Sequence, residues 1–387
     1  MSDRFLSGID AKAREAMGED VLGQARMCLA DYVACAFLGQ RMLEDHTDAI
    51  LRQTEAGAGH SVVIGSGTHA PAHIAALLNG MNAHVTELDD GQRYAMLHCG
   101  APVISALLAM AGAGNLTGER LLFGIVMGYE ATVRLASAIQ PGHKLKGLHA
   151  TGTCGTVGAA LGLAYALNYE AGQRKATLSA ALTDSMALLQ MMDDVSTLKP
   201  YNVGRAAVAG IDAALVGGAG FCGPHDALGG KRGFLQLMAD GVDESMLTRG
   251  YESTWAIQTV YRKPYAACRH AHAPIEAALL AREEGGVLAD GIDRVDVQTY
   301  GLAVAGHDHR HVTGMSSAKM SIPYAVAVAL VTGDAGYAEF ASDRLADERV
   351  RSLAERVYVT ESPELSALVP AKRAAVVTLW TGDASHR

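Results

Sequence analysis

A chain of 387 residues, 49% of them hydrophobic and only 19% charged, holds more apolar material than one simple core uses, so two domains are expected. A formal net charge of -9, with no Lys/Arg-rich run, excludes a nucleic-acid-binding surface, which needs a concentrated basic face. With Gly 43 and aromatics at 5%, the interior has to be built from Ala, Leu, Val, Met and Gly at short helix–helix distances.

The N-terminal stretch Met1-Ser-Asp-Arg-Phe-Leu-Ser-Gly-Ile-Asp10 is charged and lacks the apolar region of a secretory signal. From Ala11 to about Asn202 nearly every segment has helical periodicity, as over 21–38, 118–139, 155–167 and 174–192. Ser61-Val-Val-Ile-Gly65 is the exception and reads as a connector or an isolated strand. Apolar stretches such as 101–114 are too short to span a bilayer, and the longer 206–222 carries Asp212, so a soluble protein without membrane contact is expected. After about Lys263 the pattern changes. Strands are expected over 292–300, 356–360 and 374–380, interleaved with helices over 273–284, 322–331 and 343–354. The expected fold is mainly α: a large all-helical domain over 1–262, then a smaller α+β lid domain over 263–387 with an antiparallel sheet and helices on one face. A cleft between the two would be the ligand site. Cys28, Cys35, Cys99, Cys154, Cys222 and Cys268 form no CxxC motif and read as reduced thiols of a cytoplasmic protein.

The densest chemistry lies in Glu87-Leu-Asp-Asp-Gly-Gln-Arg-Tyr-Ala-Met-Leu-His98, between two apolar helical segments. Glu87, Asp89, Asp90 and His98 on a loop held by rigid helices suit acid–base work; a solvated acidic loop is the plainer reading. His149 and Thr151 precede a glycine-spaced apolar helix whose N-terminal N–H groups suit a carboxylate, although capping by Thr153 would explain the same pattern. Lys199 stands before Pro200, where extended backbone is expected, with Arg205 following. The segment 261–274 gathers Lys263, Cys268, Arg269, His270 and His272, which could close on an anionic substrate. Zinc is disfavoured there because no further ligand stands at metal spacing. In His307-Asp-His-Arg-His311 a solvated loop is favoured over a metal site, and the literal GxGxxG at 218–223 opens no helix and is rejected as a dinucleotide fingerprint.

Several segments come in one order: Asn79-Gly-Met-Asn-Ala-His84 running into Glu87-Leu-Asp-Asp90 and His98; His149-Ala-Thr-Gly-Thr153; Lys199-Pro200 with Gly204-Arg-Ala-Ala207; Lys263-Pro-Tyr-Ala-Ala-Cys268 with His272; and Ala318-Lys-Met-Ser-Ile-Pro-Tyr324. Together, over residues 10–380, they resemble the MmgE/PrpD family of 2-methylcitrate dehydratases, cis-aconitate decarboxylases and iminodisuccinate epimerases. The resemblance implies a homodimer with a site free of metal and organic cofactor, acting on a small di- or tricarboxylate. Carried over to this chain, it points to His98, His149, Lys199, Asp89, Asp90 and Tyr324 as catalytic groups and to Lys263 as a substrate contact. Beside them Cys268, Arg269, His272, Thr151 and Glu87 are expected at the substrate. The chain departs from the family pattern at Glu87 (aspartate), Gly91 (threonine) and Cys99 (proline). Cys268 stands where the decarboxylase branch has histidine, which speaks against decarboxylation. The chain stops at Arg387, where members usually continue, so a C-terminal return to the helical domain is expected to be missing. The expected activity is that of a hydro-lyase that removes a proton α to a carboxylate. Epimerisation is the close alternative, followed by decarboxylation or a non-catalytic carboxylate-binding role.

Overall fold

A computed structural model describes residues 1–54, 57–114, 116–192 and 196–387. The chain forms two compact units, one comprising Met1–Met192 and Leu198–Arg262, the other containing Lys263–Arg387.

The first unit is built from α1 (Ser2–Ala13), α2 (Glu19–Met42), α3 (Glu44–Gln53), α4 (Ala72–Val85), α5 (Gly100–Gly112), α6 (Gly118–Ile139), α7 (Gly142–Leu145), α8 (Ala150–Ala166), α9 (Ala171–Asp184), α10 (Lys199–Gly218), α11 (Phe234–Met238) and α12 (Glu244–Thr248). It is not wholly helical. Residues 61–65 are not isolated, because β1 (Ser61–Val63) pairs antiparallel with β2 (Thr68–Ala70). The helix expected over 174–192 ends at Asp184, and a 3-10 turn follows at Leu189–Met192.

Small residues set how closely these helices approach. On α6, a Cβ added to Gly128 would lie 2.9 Å from the Gly158 carbonyl oxygen of α8, and one added to Gly158 would collide with Thr132 Oγ1. Where α4 meets α10, a Cβ on Gly80 would lie 2.9 Å from Gly204 Cα. Glycine therefore lets α4, α8 and α10 pack at backbone distance, which brings the end of α4 close to the starts of α8 and α10. By length and hydropathy α2 and α6 could each cross a membrane, unlike the stretches weighed from sequence; α6 is mostly buried and serves as core.

The second unit contains α13 (Arg269–Gly285), β3 (Arg294–Thr299), α14 (Gly301–Val304), α15 (Met315–Met320), α16 (Ile322–Thr332), α17 (Ser342–Leu345), α18 (Glu348–Ala354), β4 (Val357–Glu361), α19 (Pro363–Ser366), β5 (Ala375–Thr381) and β6 (Ala384–His386). Its sheet order is β4-β3-β5-β6. The expected antiparallel sheet is in fact mixed: β3 runs antiparallel to β5 but parallel to β4, with Val295 opposite Val357. The helices between β3 and β4 carry the chain back to the starting edge, which is what a parallel pair requires. The single helix expected over 343–354 is broken because the Asp347 side chain caps α18, accepting from the Arg349 N–H.

Candidate active site

The sequence candidates fall into two sets, one per unit. In the first unit the end of α4, the loop 86–99 and the N-termini of α8 and α10 converge. The loop is held at both ends of its charged stretch. Gly91 exchanges backbone hydrogen bonds with Tyr261 (N–H to O 2.9 and 2.8 Å), and the Gln92 N–H donates to the Leu97 carbonyl at 2.9 Å. Gly91 is explained by this contact: a Cβ there would lie 2.6 Å from the Tyr261 hydroxyl and 2.7 Å from its ring.

The paired aspartates separate into two tasks. Asp89 Oδ2 accepts from His84 Nδ1 at 2.7 Å, and its Oδ1 lies 3.4 Å from His98 Nδ1. The Asp90 carboxylate faces the other way, accepting from the Tyr129 hydroxyl (2.6 Å) and from the Cys99 and Gly100 N–H groups (3.1 and 2.9 Å) at the start of α5. Burial pushes the Asp90 carboxyl up to about 6, against the pull of those donors. Asp90 nevertheless orients a histidine through its backbone, since its carbonyl accepts from His98 Nδ1 at 2.7 Å. A carbonyl can only accept, so His98 carries its proton on Nδ1 and its basic lone pair on Nε2. Cys99 is fully buried, and burial drives its thiol well above the ordinary range, which removes it as a nucleophile.

His84, whose motif the sequence supplied without assigning it a role, proves to be the hub. Its ring lies 4.9 Å from that of His98 and 5.8 Å from that of His149, centroid to centroid. The sequence signal was its place at the polar end of an apolar helix, just before the acidic loop. The His84 side chain is 0% exposed and that of Asp89 3%, against 15% for His98, so His98 is the member of the trio that a ligand can reach.

His149 is the N-cap of α8 and makes no side-chain cap; Thr153 does not cap the helix either, and its hydroxyl bonds His143 Nε2 at 2.8 Å. Asn202 Nδ2 approaches His149 Nδ1 at 3.4 Å. Burial, then the charges of His84 and Lys199, hold the His149 imidazole well below its ordinary range, so it is neutral at neutral pH. Thr151 is buried, and its hydroxyl accepts the His98 N–H at 3.2 Å, bracing the loop against α8. Lys199 is not extended but is the first residue of α10, because the fixed φ of Pro200 suits a first helical turn. Its ammonium pairs with the Glu87 carboxylate, and both side chains are largely buried. Glu87 holds a left-handed backbone (φ 56) to reach it. Arg205 instead lies 3.7 Å from Asp184 at the surface.

The remaining candidates belong to the second unit. Lys263 is buried, and Cys268 is the N-cap of α13, donating its backbone N–H to the Lys319 carbonyl at 2.8 Å. Arg269 opens α13, and His272 Nε2 meets the Ala267 carbonyl at 3.1 Å while its ring stands edge-on to Tyr265. Tyr324 is fully buried in α16, its hydroxyl donating to the Glu339 carbonyl at 3.1 Å. Among the described residues two groups have metal-ligating atoms clustered within 4.8 Å: His84, Asp89 and His98 in the first unit, and Cys268, His270 and His307 in the second. His307 is buried, contrary to the solvated loop expected for 307–311.

The family model of the MmgE/PrpD N-terminal domain matches residues 5–246, and that of the MmgE/PrpD C-terminal domain matches 265–387. A cis-aconitate decarboxylase of Aspergillus terreus is 28% identical over 385 residues, covering 91% of this chain and 76% of the relative. A cis-aconitate decarboxylase-like protein of Aspergillus oryzae is 25% identical, covering 89% and 76%. The cis-aconitate decarboxylase of Homo sapiens is 23% identical, covering 94% and 77%.

Proposed function

Because the chain belongs to the MmgE/PrpD family, we propose that it is a lyase that removes a proton α to a carboxylate of a small di- or tricarboxylic acid, with loss of water as the first reading. The observation that carries this reading is the gathering of His98, His149 and Asp89 around His84, beside the Lys199 ammonium. Proton removal next to a carboxylate places a second negative charge on an enediolate-like intermediate. The reaction therefore needs a base with an accessible lone pair and donors aimed at the developing charge. His98 supplies the base through Nε2, while Asp89 and the Asp90 carbonyl hold its ring. Lys199 supplies the cation, and a substrate carboxylate would compete with Glu87 for it. His149, kept neutral by its surroundings, serves as a hydrogen-bond donor without adding a second full charge.

Loss of CO₂ is the second reading, favoured by the decarboxylase names of the relatives; it leads to the same kind of carbanion. Incubation with cis-aconitate, citrate and 2-methylcitrate in D₂O, followed by NMR and CO₂ trapping, separates the readings. Water loss or gain supports the hydro-lyase, and trapped CO₂ supports the carboxy-lyase. Solvent deuterium in stereo-scrambled substrate with no unsaturated product would establish an epimerase and sink both. Absence of any exchange at His98-dependent rates across such acids would overturn the site. The reading includes a cytoplasmic homodimer: among the described residues no disulfide forms, and α2 exposes Met27, Val33 and Phe37. Light scattering at monomer mass would exclude the dimer.

A further inference from the structure

A neutral imidazole carries its proton on one of two nitrogens, and the bond made by one nitrogen decides what the other can offer a ligand. For His149 that bond comes from α10. Asn202 lies one turn after Lys199 on the same face of this helix, and its side chain is buried. Gly152 lets it come close: a Cβ there would lie 3.1 Å from the Asn202 carbonyl oxygen and 3.5 Å from the Asn202 Cβ. The start of α8 and α10 therefore meet at backbone distance, beside the His149 ring.

A second contact fixes which way the amide faces. Residues 187–189 run antiparallel beside 147–149, with the His149 N–H donating to the Ala187 carbonyl at 3.0 Å and the Leu189 N–H to the Gly147 carbonyl at 2.8 Å. The Leu188 carbonyl between them accepts from Asn202 Nδ2 at 3.0 Å. A carbonyl only accepts, so the amide nitrogen, not the amide oxygen, stands on this side. The same nitrogen lies 3.4 Å from His149 Nδ1 with its second hydrogen to give. Nδ1 thus accepts, and the ring proton belongs on Nε2, which has no hydrogen-bond partner among the described residues. A donor at Nδ1 also opposes the doubly protonated ring, as do burial and the charges of His84 and Lys199.

We propose that Asn202 is a positioning residue that locks His149 in the Nε2–H tautomer, so that the ring meets the substrate as a hydrogen-bond donor and not as a base. The inference rests on the proton-removing function proposed for this site. It gives the two histidines opposite tasks: His98, whose Nδ1 donates to the Asp90 carbonyl, keeps a lone pair on Nε2, whereas His149 keeps its proton there. One ring takes the substrate proton, and the other donates to the negative charge that develops.

The test uses the full chain labelled with ¹⁵N-histidine, the His149 resonances being assigned by their loss in His149→Gln. At neutral pH the expected spectrum shows Nδ1 as a bare acceptor nitrogen and Nε2 as a protonated one. In Asn202→Asp a carboxylate, which only accepts, replaces the donor. Nδ1 is then expected to become protonated, and substrate proton exchange to fall by about 10²–10³-fold with the circular dichroism spectrum unchanged. A merely structural asparagine would leave the ¹⁵N pattern of His149 in place. Should Asn202→Asp fail to fold, the spectrum of the native protein decides the matter. A protonated Nδ1 in the native protein, a bare Nδ1 in folded Asn202→Asp, or full proton exchange despite a switched tautomer would each overturn the proposal. The tautomer is read without substrate, so failure to turn over any of the acids counts against the proposed function alone, and the ¹⁵N pattern still decides the role of Asn202.

Discussion

Two histidine clusters, one in each unit, differ in what their imidazoles bond: a carboxylate in the first, a hydroxyl and a carbonyl in the second. In the first, His84, Asp89 and His98 are linked to one another, and the outermost ring, His98, is the one a ligand can reach. In the second, His270 and His307 stand beside Cys268, with His270 Nδ1 on the Tyr300 hydroxyl and His307 Nδ1 on the Met320 carbonyl. A carboxylate bonded between histidines can relay a proton, whereas a hydroxyl or carbonyl on one ring nitrogen fixes only the ring's tautomer and orientation. The chemistry of a histidine cluster is thus set less by its members than by where their second nitrogens bond.

The largest effect that tests this contrast is expected from His98→Asn. It should lower the rate of substrate proton exchange by about 10²–10⁴-fold with the circular dichroism spectrum unchanged. An active His98→Asn protein would remove the relay role from the first cluster. Next comes Glu87→Gln, which leaves the Lys199 ammonium largely buried without its counter-charge; chemical denaturation should show a loss of about 3–5 kcal/mol. Full stability in that variant would mean that the pair is solvated and Lys199 already available. Gly91→Ala should cost about 1–3 kcal/mol because the added Cβ meets the Tyr261 ring, and the proton-exchange rate should fall with it as the loop bearing His98 shifts.

The smallest effect is a pH dependence. The folded protein holds the His149 pKa below its ordinary value, so it refuses a proton that the unfolded chain accepts. Its contribution is present above the ordinary histidine range and is lost as pH falls through that range toward the depressed folded value. The stability advantage of the native protein over His149→Gln should therefore be larger at about pH 7 than at about pH 5. Asp90 has the reverse sign: its carboxyl is pushed up to about 6, so its contribution is present in acid and is lost as pH rises toward that value. The advantage over Asp90→Asn should shrink across that window, and denaturant melts at both pH values of each variant check the two signs.

Much of this site was legible in the sequence because its parts lie on short segments with unusual composition. The acidic loop ending in His98, the polar start of α8 at His149 and the Lys199-Pro200 step were each visible as charge set against apolar helices. The separate tasks of Asp89 and Asp90 were not, because adjacent residues on an irregular loop can point either way, and only the packing of Tyr129 and the start of α5 decides which does. The same limit hid His84, a histidine at the end of an apolar helix that reads as core until its neighbours are in place. The parallel β3–β4 pair escaped detection as well, since strand periodicity records which face is buried and not which way the neighbour runs.

Sequence by itself determined the mainly helical class, the change of pattern near Lys263 and the residue types available for carboxylate chemistry, because composition and periodicity are local properties. Tertiary structure alone decided which histidines meet, which aspartate serves them and that His307 joins Cys268 and His270, because those relations depend on helices packed through glycine contacts and on a chain that returns from a distance.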